Sequence, residues 1–217
     1  MNLAQRGSPF PVILSSPSGG GKTSIARRLL AEREDVGYSV SCTTRAPRPG
    51  EVDGRDYYFL TPAEFEAAAD RGEFAEWAFV HANRYGTLKR EVERVLGSGR
   101  HVLMDIDVQG AHQFAASFPG AVRVFVLPPS GGVLLERLAA RASESAAQFA
   151  LRVRNARDEV AAAHDYDYVV VNDELDRAVA QVASILDAEG ARRDRLRELD
   201  TQIDALVAEL DAAAGAA

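Results

Sequence analysis

Cysteine is nearly absent from this 217-residue chain. With Cys42 alone, no intramolecular disulfide forms and a zinc centre of several thiolates is excluded. Long apolar runs are missing too: none approaches the roughly 20 residues of a membrane helix. The opening M-N-L-A-Q-R-G-S-P-F-P has no apolar stretch of the kind a secretory signal needs. These absences predict a cytoplasmic protein with no membrane partner. A basic surplus is also lacking, since 25 Lys and Arg face 32 Asp and Glu, a net charge of -7. Broad phosphate neutralisation needs a field of positive charge, so no nucleic-acid partner is expected, although a small, focused anion site stays open. Lysine is the scarcest charge: Lys22 and Lys89 stand against 23 arginines. A lysine in this chain therefore marks a position where arginine does not serve.

What is present suits a folded domain. With 47% hydrophobic and 26% charged residues, the chain has enough apolar material for a substantial core and is not disordered. Val12-Ile13-Leu14, led by Pro11, is a short β-branched run that reads as a buried strand. A glycine turn follows, then Thr23 to Glu32 with Ile25, Leu29 and Leu30 at helical spacing. Further strands are expected at Tyr38 to Cys42, Val102 to Ile106, Val122 to Leu127 and Tyr168 to Val171, all short and rich in Val, Ile and Leu. Such runs separated by helical stretches predict βαβ units, a parallel sheet and an α/β class.

The texture changes between about Ser39 and Leu88, where Pro47, Pro49, Gly50 and Gly54 punctuate a stretch holding Tyr57, Tyr58, Phe59, Phe74, Trp77, Phe79 and Tyr85. Within it, Thr61-Pro62-Ala63-Glu64 is a helix start, with Thr as cap, Pro first and Glu three residues after the cap. This region is expected to be a small, partly β insertion. Leu134 to His164, rich in Arg and Ala, predicts two helices joined near Ala142 to Ser145. The resulting division is an α/β core at 1–38 and 89–190 with a helical lid at about 134–164, an insertion at 39–88, and a helical tail at 191–217. In the tail, Leu196, Leu199, Ile203, Leu206 and Leu210 form a seam of about two heptads, leaving monomer and homodimer both open, and the last seven residues are expected to fray.

Ser16-Pro17-Ser18-Gly19-Gly20-Gly21-Lys22-Thr23 departs from G-x-x-x-x-G-K-[ST] only at its first position. Three glycines let backbone N–H groups turn inward as an anion nest, and the following helix points its positive end at the same spot. Lys22 can neutralise β- and γ-phosphate oxygens, and the Thr23 hydroxyl can ligate Mg²⁺. The strand Val102-Leu103-Met104-Asp105-Ile106-Asp107 ends in two carboxylates, and Asp105 at its edge can hold Mg²⁺ through water.

A second anion site is written in Ser39-Val40-Ser41-Cys42-Thr43-Thr44-Arg45-Ala46-Pro47-Arg48-Pro49-Gly50-Glu51. Arg45 and Arg48, three apart across a proline turn, can converge on one phosphate with bidentate forks that Lys lacks. Tyr57 and Tyr85 can add hydroxyl donors. Glu76 can accept the N1–H and N2–H₂ pair of guanine, a pair adenine lacks, while Ser41 and Thr87 can donate to O6.

The strings S-P-S-G-G-G-K-T, S-C-T-T-R-A-P-R-P-G-E-V-D-G-R-D-Y-Y-F, G-E-F-A-E-W, Y-G-T, D-I-D-V-Q-G and Y-D-Y-V-V-V-N-D occur in the order in which the guanylate kinase family carries them, over roughly residues 11–190. The chain closely resembles that family. The resemblance implies a P-loop nucleoside monophosphate kinase with a parallel-sheet core, a small mixed α/β GMP-binding insertion and a helical lid. It implies ATP and GMP, with dGMP beside it, as substrates, and Mg²⁺ as the cofactor carried with ATP. It puts Ser41, Arg45, Arg48, Tyr57, Glu76, Tyr85, Thr87 and Asp105 on GMP-site positions, residues 16–23 on the ATP loop, and Asn172 near the adenine of ATP. Arg137, Arg141 and Arg152 match lid arginines that join Lys22 at the transferring phosphate. Three departures stand out: Ser16 where Gly or Ala is usual, Cys42 where Ser is frequent, and Ala140-Arg141-Ala142-Ser143 where Gly usually flanks the arginine. Two other readings share parts of this pattern. One is a non-catalytic, guanylate-kinase-like protein-binding module, expected to lose Lys22 and the lid arginines; the other is a P-loop kinase for a sugar bisphosphate, with no use for Glu76, Ser41 and Thr87.

Overall fold

The first strand, β1 (Pro11–Ser15), is buried along its whole length because it lies between two others in a sheet covered on both faces. The computed structural model describes residues 7–80, 82–140 and 146–215. From β1 the chain runs through a glycine loop into α1 (Lys22–Glu32), then β2 (Val36–Tyr38). After the insertion come α3 (Lys89–Gly97), β7 (His101–Asp105), α4 (Val108–Ser117), β8 (Val122–Leu127), β9 (Tyr168–Val171) and α7 (Leu175–Gly190). The five core strands lie in the order β2-β7-β1-β8-β9, every neighbouring pair parallel. Side chains alternate across such a sheet. Val12, Leu14 and Leu103 face α1 and α7 through Ile25, Leu29, Val182 and Leu186, whereas Ile13, Val102 and Met104 face α3 and α4 through Val92, Val95 and Phe114. The α/β class with a parallel-sheet core is what the sequence predicts.

The insertion holds β3 (Cys42–Thr43), β4 (Tyr58–Phe59), α2 (Pro62–Asp70), β5 (Phe74–Val80) and β6 (Asn83–Leu88). Its four strands form a separate sheet in the order β4-β3-β6-β5, around a small core of Cys42, Phe65, Phe74 and Leu88. Helix α2 begins as its sequence dictates: the Glu64 N–H donates to Thr61 Oγ1 at 3.2 Å and the Thr61 N–H donates to Glu64 Oε2 at 2.7 Å. The strand expected over Tyr38 to Cys42 is corrected. Residues Val36–Tyr38 pair with β7 in the large sheet, and Cys42–Thr43 pair with β4 and β6 in the small one. The chain changes sheets at Ser39 to Ser41, so one apolar run serves two layers.

The lid consists of α5 (Gly131–Ala139) and α6 (Ala146–Ala161), which pack on each other through Leu134, Leu138, Phe149, Val153 and Ala156. The first of them starts three residues before the expected Leu134, where the Ser130 hydroxyl accepts the Val133 N–H. The expected joint lies largely outside the described residues. The tail is corrected as well. A 3-10 turn at Arg193–Arg195 and the left-handed Glu198 (φ 60) interrupt it before α8 (Leu199–Gly215). Leu196 therefore drops out of the seam and bridges instead to Gly7. The last residues described, through Gly215, remain helical.

Candidate active site

Between β1 and α1 the loop closes on itself, the Gly20 N–H donating to the Pro17 carbonyl at 2.8 Å. Gly19 and Gly21 sit at φ 87 and 95, where a side chain is strained. Gly21 meets a second constraint, because a Cβ there would collide with the Asn172 amide nitrogen. Asn172 is buried and donates to the Gly20 carbonyl at 2.9 Å. The sequence expectation sets it beside adenine; here its amide braces the loop from behind. No acidic residue occupies the first turn of α1, and Gly21 offers no capping side chain, so the positive end of that helix is left for an anion. Ser16 is buried and its Cβ lies where a residue larger than Gly20 would need to be.

Two of the loop's side chains converge on the end of β7. Lys22 Nζ lies 2.7 Å from Asp105 Oδ1, and the Thr23 hydroxyl donates to Asp105 Oδ2 at 2.7 Å. These are hard oxygen donors beside an anion nest, a set that suits a hard divalent cation completed by phosphate and water. Among the described residues no group of three or more His, Cys, Asp or Glu forms a free-standing metal centre. Thr23 and Asp105 are thus residues to hold an ion that arrives with a nucleotide.

The same Thr23 and Asp105 line one wall of a cleft of about 580 Å³, whose opposite wall is Ser41, Tyr57, Glu76 and Tyr85 from the insertion. Glu76 is held there by three independent links. Its neighbours on β5 are fixed to α4, the Trp77 N–H donating to Gln113 Oε1 at 3.1 Å and Ser117 Oγ to the Ala75 carbonyl at 3.0 Å. Its cross-strand partner Thr87 donates its hydroxyl to Glu76 Oε1 at 2.6 Å. Gly110 lets α4 approach, since a Cβ there would come within 3.1 Å of Glu76 Oε2. The carboxyl is 8% exposed, and burial pushes it up to about 7, with Asp107 raising it further and Thr87 opposing. A buried acceptor with one oxygen still unclaimed by Thr87 is a reader of paired N–H donors. Thr87 spends its proton on Glu76 here, so of the two expected O6 donors only Ser41 lines the cleft.

Arg45 stands at the phosphate end of this wall with its guanidinium 5.5 Å from the Tyr57 ring centroid, and Tyr57 packs edge-on to Tyr85 at 6.1 Å. Its fork is already bidentate to Glu51, at 2.8 and 3.0 Å, and Glu51 also accepts the Arg48 N–H at 2.7 Å. Hydrogen bonding from Arg45, then from the Arg48 amide, holds the Glu51 carboxyl below its ordinary range. Glu51, which the sequence reading passes over, therefore orients both arginines. The Arg48 residue itself is exposed.

On the lid, Arg137 Nη1 donates to the Gly19 carbonyl at 3.3 Å, while Arg152 is half-buried on α6. Arg141 lies outside the described residues. Also from α6, Glu159 Oε2 accepts the Ser18 N–H at 3.0 Å. That contact spans 141 residues, and nothing in the local pattern around Glu159 signals it.

The guanylate kinase family profile matches residues 8–189. This chain belongs to the guanylate kinase family. It is 45% identical over 210 residues to the guanylate kinase of Rhizobium meliloti, covering 96% of this chain and 95% of that one. It is 50% identical over 194 residues to the guanylate kinase of Novosphingobium aromaticivorans, covering 89% and 87%. The crystal structure of guanylate kinase from Anaplasma phagocytophilum superposes with a TM-score of 0.73 at 33% identity, over 93% of this chain and 96% of that one. Members of the family are kinases, which work with a divalent metal. No helix among the described residues is long and apolar enough to cross a membrane.

Proposed function

We propose that this protein transfers the γ-phosphoryl of ATP to GMP, and to dGMP, giving ADP and the nucleoside diphosphate. The observation that carries the reading is the single cleft lined on one side by Thr23 and Asp105 and on the other by Glu76, Ser41 and Tyr57. It sets a phosphate loop against a buried acceptor suited to guanine.

In this reading the loop of residues 16–23 binds the polyphosphate, its glycines presenting N–H groups and Lys22 leaving Asp105 to meet β- and γ-oxygens. Thr23, with Asp105 through water, holds Mg²⁺, which spreads the negative charge of the transferring group. Asn172 keeps the loop in register from behind. Glu76 accepts the two guanine donors, Ser41 donates to O6, Thr87 fixes the carboxylate, and Arg45, Arg48, Tyr57 and Tyr85 hold the acceptor phosphate. Arg137, Arg141 and Arg152 bring positive charge from the lid to the transferring phosphoryl. The acceptor oxygen is already ionised near neutral pH, so alignment and charge neutralisation suffice and no general base is required.

A nucleotide panel tests this. ADP release from Mg²⁺-ATP is expected with GMP and dGMP and not with AMP, UMP or ribose phosphates. Equal release with AMP, or none with GMP, would sink the proposal. The protein-binding module is disfavoured by the retained Lys22, Arg137, Arg141 and Arg152, and the sugar bisphosphate kinase by the buried Glu76–Thr87 pair.

A further inference from the structure

The Ser18 amide lies just before the three glycines of an anion-binding loop, and here its partner is a carboxylate from the lid. Glu159 has been drawn partly out of water, which raises its carboxyl above the ordinary range, and it is within electrostatic reach of both Lys22 and Asp107. Asp107 also lines the acceptor cleft, and together with Glu159, His112, Asn155 and Asp158 it lines a second cavity of about 670 Å³ between α4 and α6. Glu159 therefore stands at the end of the loop nearest the acceptor, which is where the third phosphate of a donor belongs. The α1 N-terminus, at the other end of the loop, carries no such occupant.

We infer that Glu159 is a stand-in for the γ-phosphate: it holds the lid helix on the loop when that position is empty and is displaced by a nucleoside triphosphate but not by a diphosphate. The inference rests on the ATP-site reading above and deepens it. A single N–H does not serve two anions at full strength, and a carboxylate beside an arriving phosphoryl is repelled in a site with little water. Displacement frees α6. Arg152 lies seven residues before Glu159 on that helix, two turns along the same face, so the loss of one anionic contact near the end of the helix frees a cationic side chain upstream to turn toward the phosphoryl. After transfer the ADP left behind has no γ-phosphoryl, and Glu159 returns to the Ser18 amide, holding the lid in the position seen here.

Calorimetric titration of the full chain with Mg²⁺-ATP and with Mg²⁺-ADP tests the inference in the wild type, Glu159→Gln and Glu159→Ala. Glutamine keeps an acceptor for the amide and removes the charge; alanine removes both. Both variants are expected to bind ATP about tenfold tighter, the scale of one charge-assisted hydrogen bond, and ADP within about twofold of wild type. An equal shift for the two nucleotides, or ATP binding that is unchanged or weaker in Glu159→Gln, overturns the inference. If thermal melting shows that Glu159→Ala is unfolded, the glutamine variant carries the test. Wild-type turnover of GMP with no selective gain for ATP overturns the stand-in alone. A wild type that binds neither nucleotide overturns the donor-site reading beneath it.

Discussion

The two halves of the cleft are built on opposite plans. The phosphate loop is eight consecutive residues whose shape follows from glycines at φ 87 and 95 and from the strand and helix on either side. The opposite wall is gathered from Ser41 at a change of sheet, Tyr57 before β4, Glu76 on β5 and Tyr85 on β6. Its working geometry comes from cross-strand and helix contacts such as Thr87 to Glu76 and Gln113 to Trp77. A contiguous device recognises what all donors share, a polyphosphate. A gathered one can be shaped to one base edge. Substitutions in the loop should therefore damage every reaction the protein performs, and substitutions in the wall should damage one substrate selectively.

The largest expected effect is on the loop. Lys22→Ala removes the ammonium that the reading assigns to the transferring phosphoryl and leaves Asp105 without its ion-pair partner. Turnover is expected to fall by about 10³-fold, the scale for deleting one preorganised charge-stabilising group. The fall should be the same for GMP and dGMP in steady-state assays. A variant that slows one and spares the other breaks the contrast between the two halves.

On the wall, Glu76→Gln exchanges one of two acceptors for a donor. Guanine then faces an unmatched N–H pair, and kcat/KM for GMP is expected to fall about 100-fold, close to 3 kcal/mol. The same amide offers one acceptor and one donor, which complements the N6–H₂ and N1 edge of adenine, so the ratio of AMP to GMP turnover should rise. A fall without any change in that ratio would mean that Glu76 shapes the insertion and does not read the base.

A smaller and equally one-sided effect is expected at the phosphate end. Arg48→Ala removes an exposed guanidinium, and the Michaelis constant for GMP should rise about 10- to 30-fold with that for ATP changed by less than about twofold. Equal changes in both constants would show that the arginine belongs to neither half. Glu51 sharpens this test, since it holds the Arg48 amide and the Arg45 fork together.

Legibility in the sequence divides along the same line. The loop is readable because everything that shapes it is local: the strand before it, the glycines, and the helix that begins at Lys22. The wall is readable in its residue types, such as Arg45, Glu76 and Tyr85, largely through the family resemblance. Its arrangement is not, because it depends on contacts far apart in sequence: the break between β2 and β3, the Glu51 fork, and the proton that Thr87 gives to Glu76. Glu159 is the extreme case, a surface-patterned carboxylate on an Arg- and Ala-rich helix that finds its partner 141 residues away. Asn172 shows the converse, a motif residue whose observed contact is with the Gly20 carbonyl behind the loop. In the tail, helical periodicity alone does not show that Glu198 adopts φ 60 and takes Leu196 off the helix.

The smallest expected effect tests the wall through its protonation. Burial raises the Glu76 carboxyl to about 7 in the empty cleft, and guanine presents only donors to it, so the ionised form is the one that binds. The sign follows directly: acid fills the carboxylate with a proton, removes an acceptor, and weakens GMP. Between pH 8 and pH 6 the ionised fraction of a group titrating near 7 falls about tenfold, and the Michaelis constant for GMP should rise by about that factor. The GMP phosphate titrates in the same region and has to be separated from this effect. Glu76→Gln does so, because it keeps the phosphate and loses the titrating side chain; the pH profile for GMP should flatten to whatever the phosphate alone contributes. If the wild type and the variant follow the same profile, the Glu76 proton has no part in binding, and the wall discriminates by shape and not by charge.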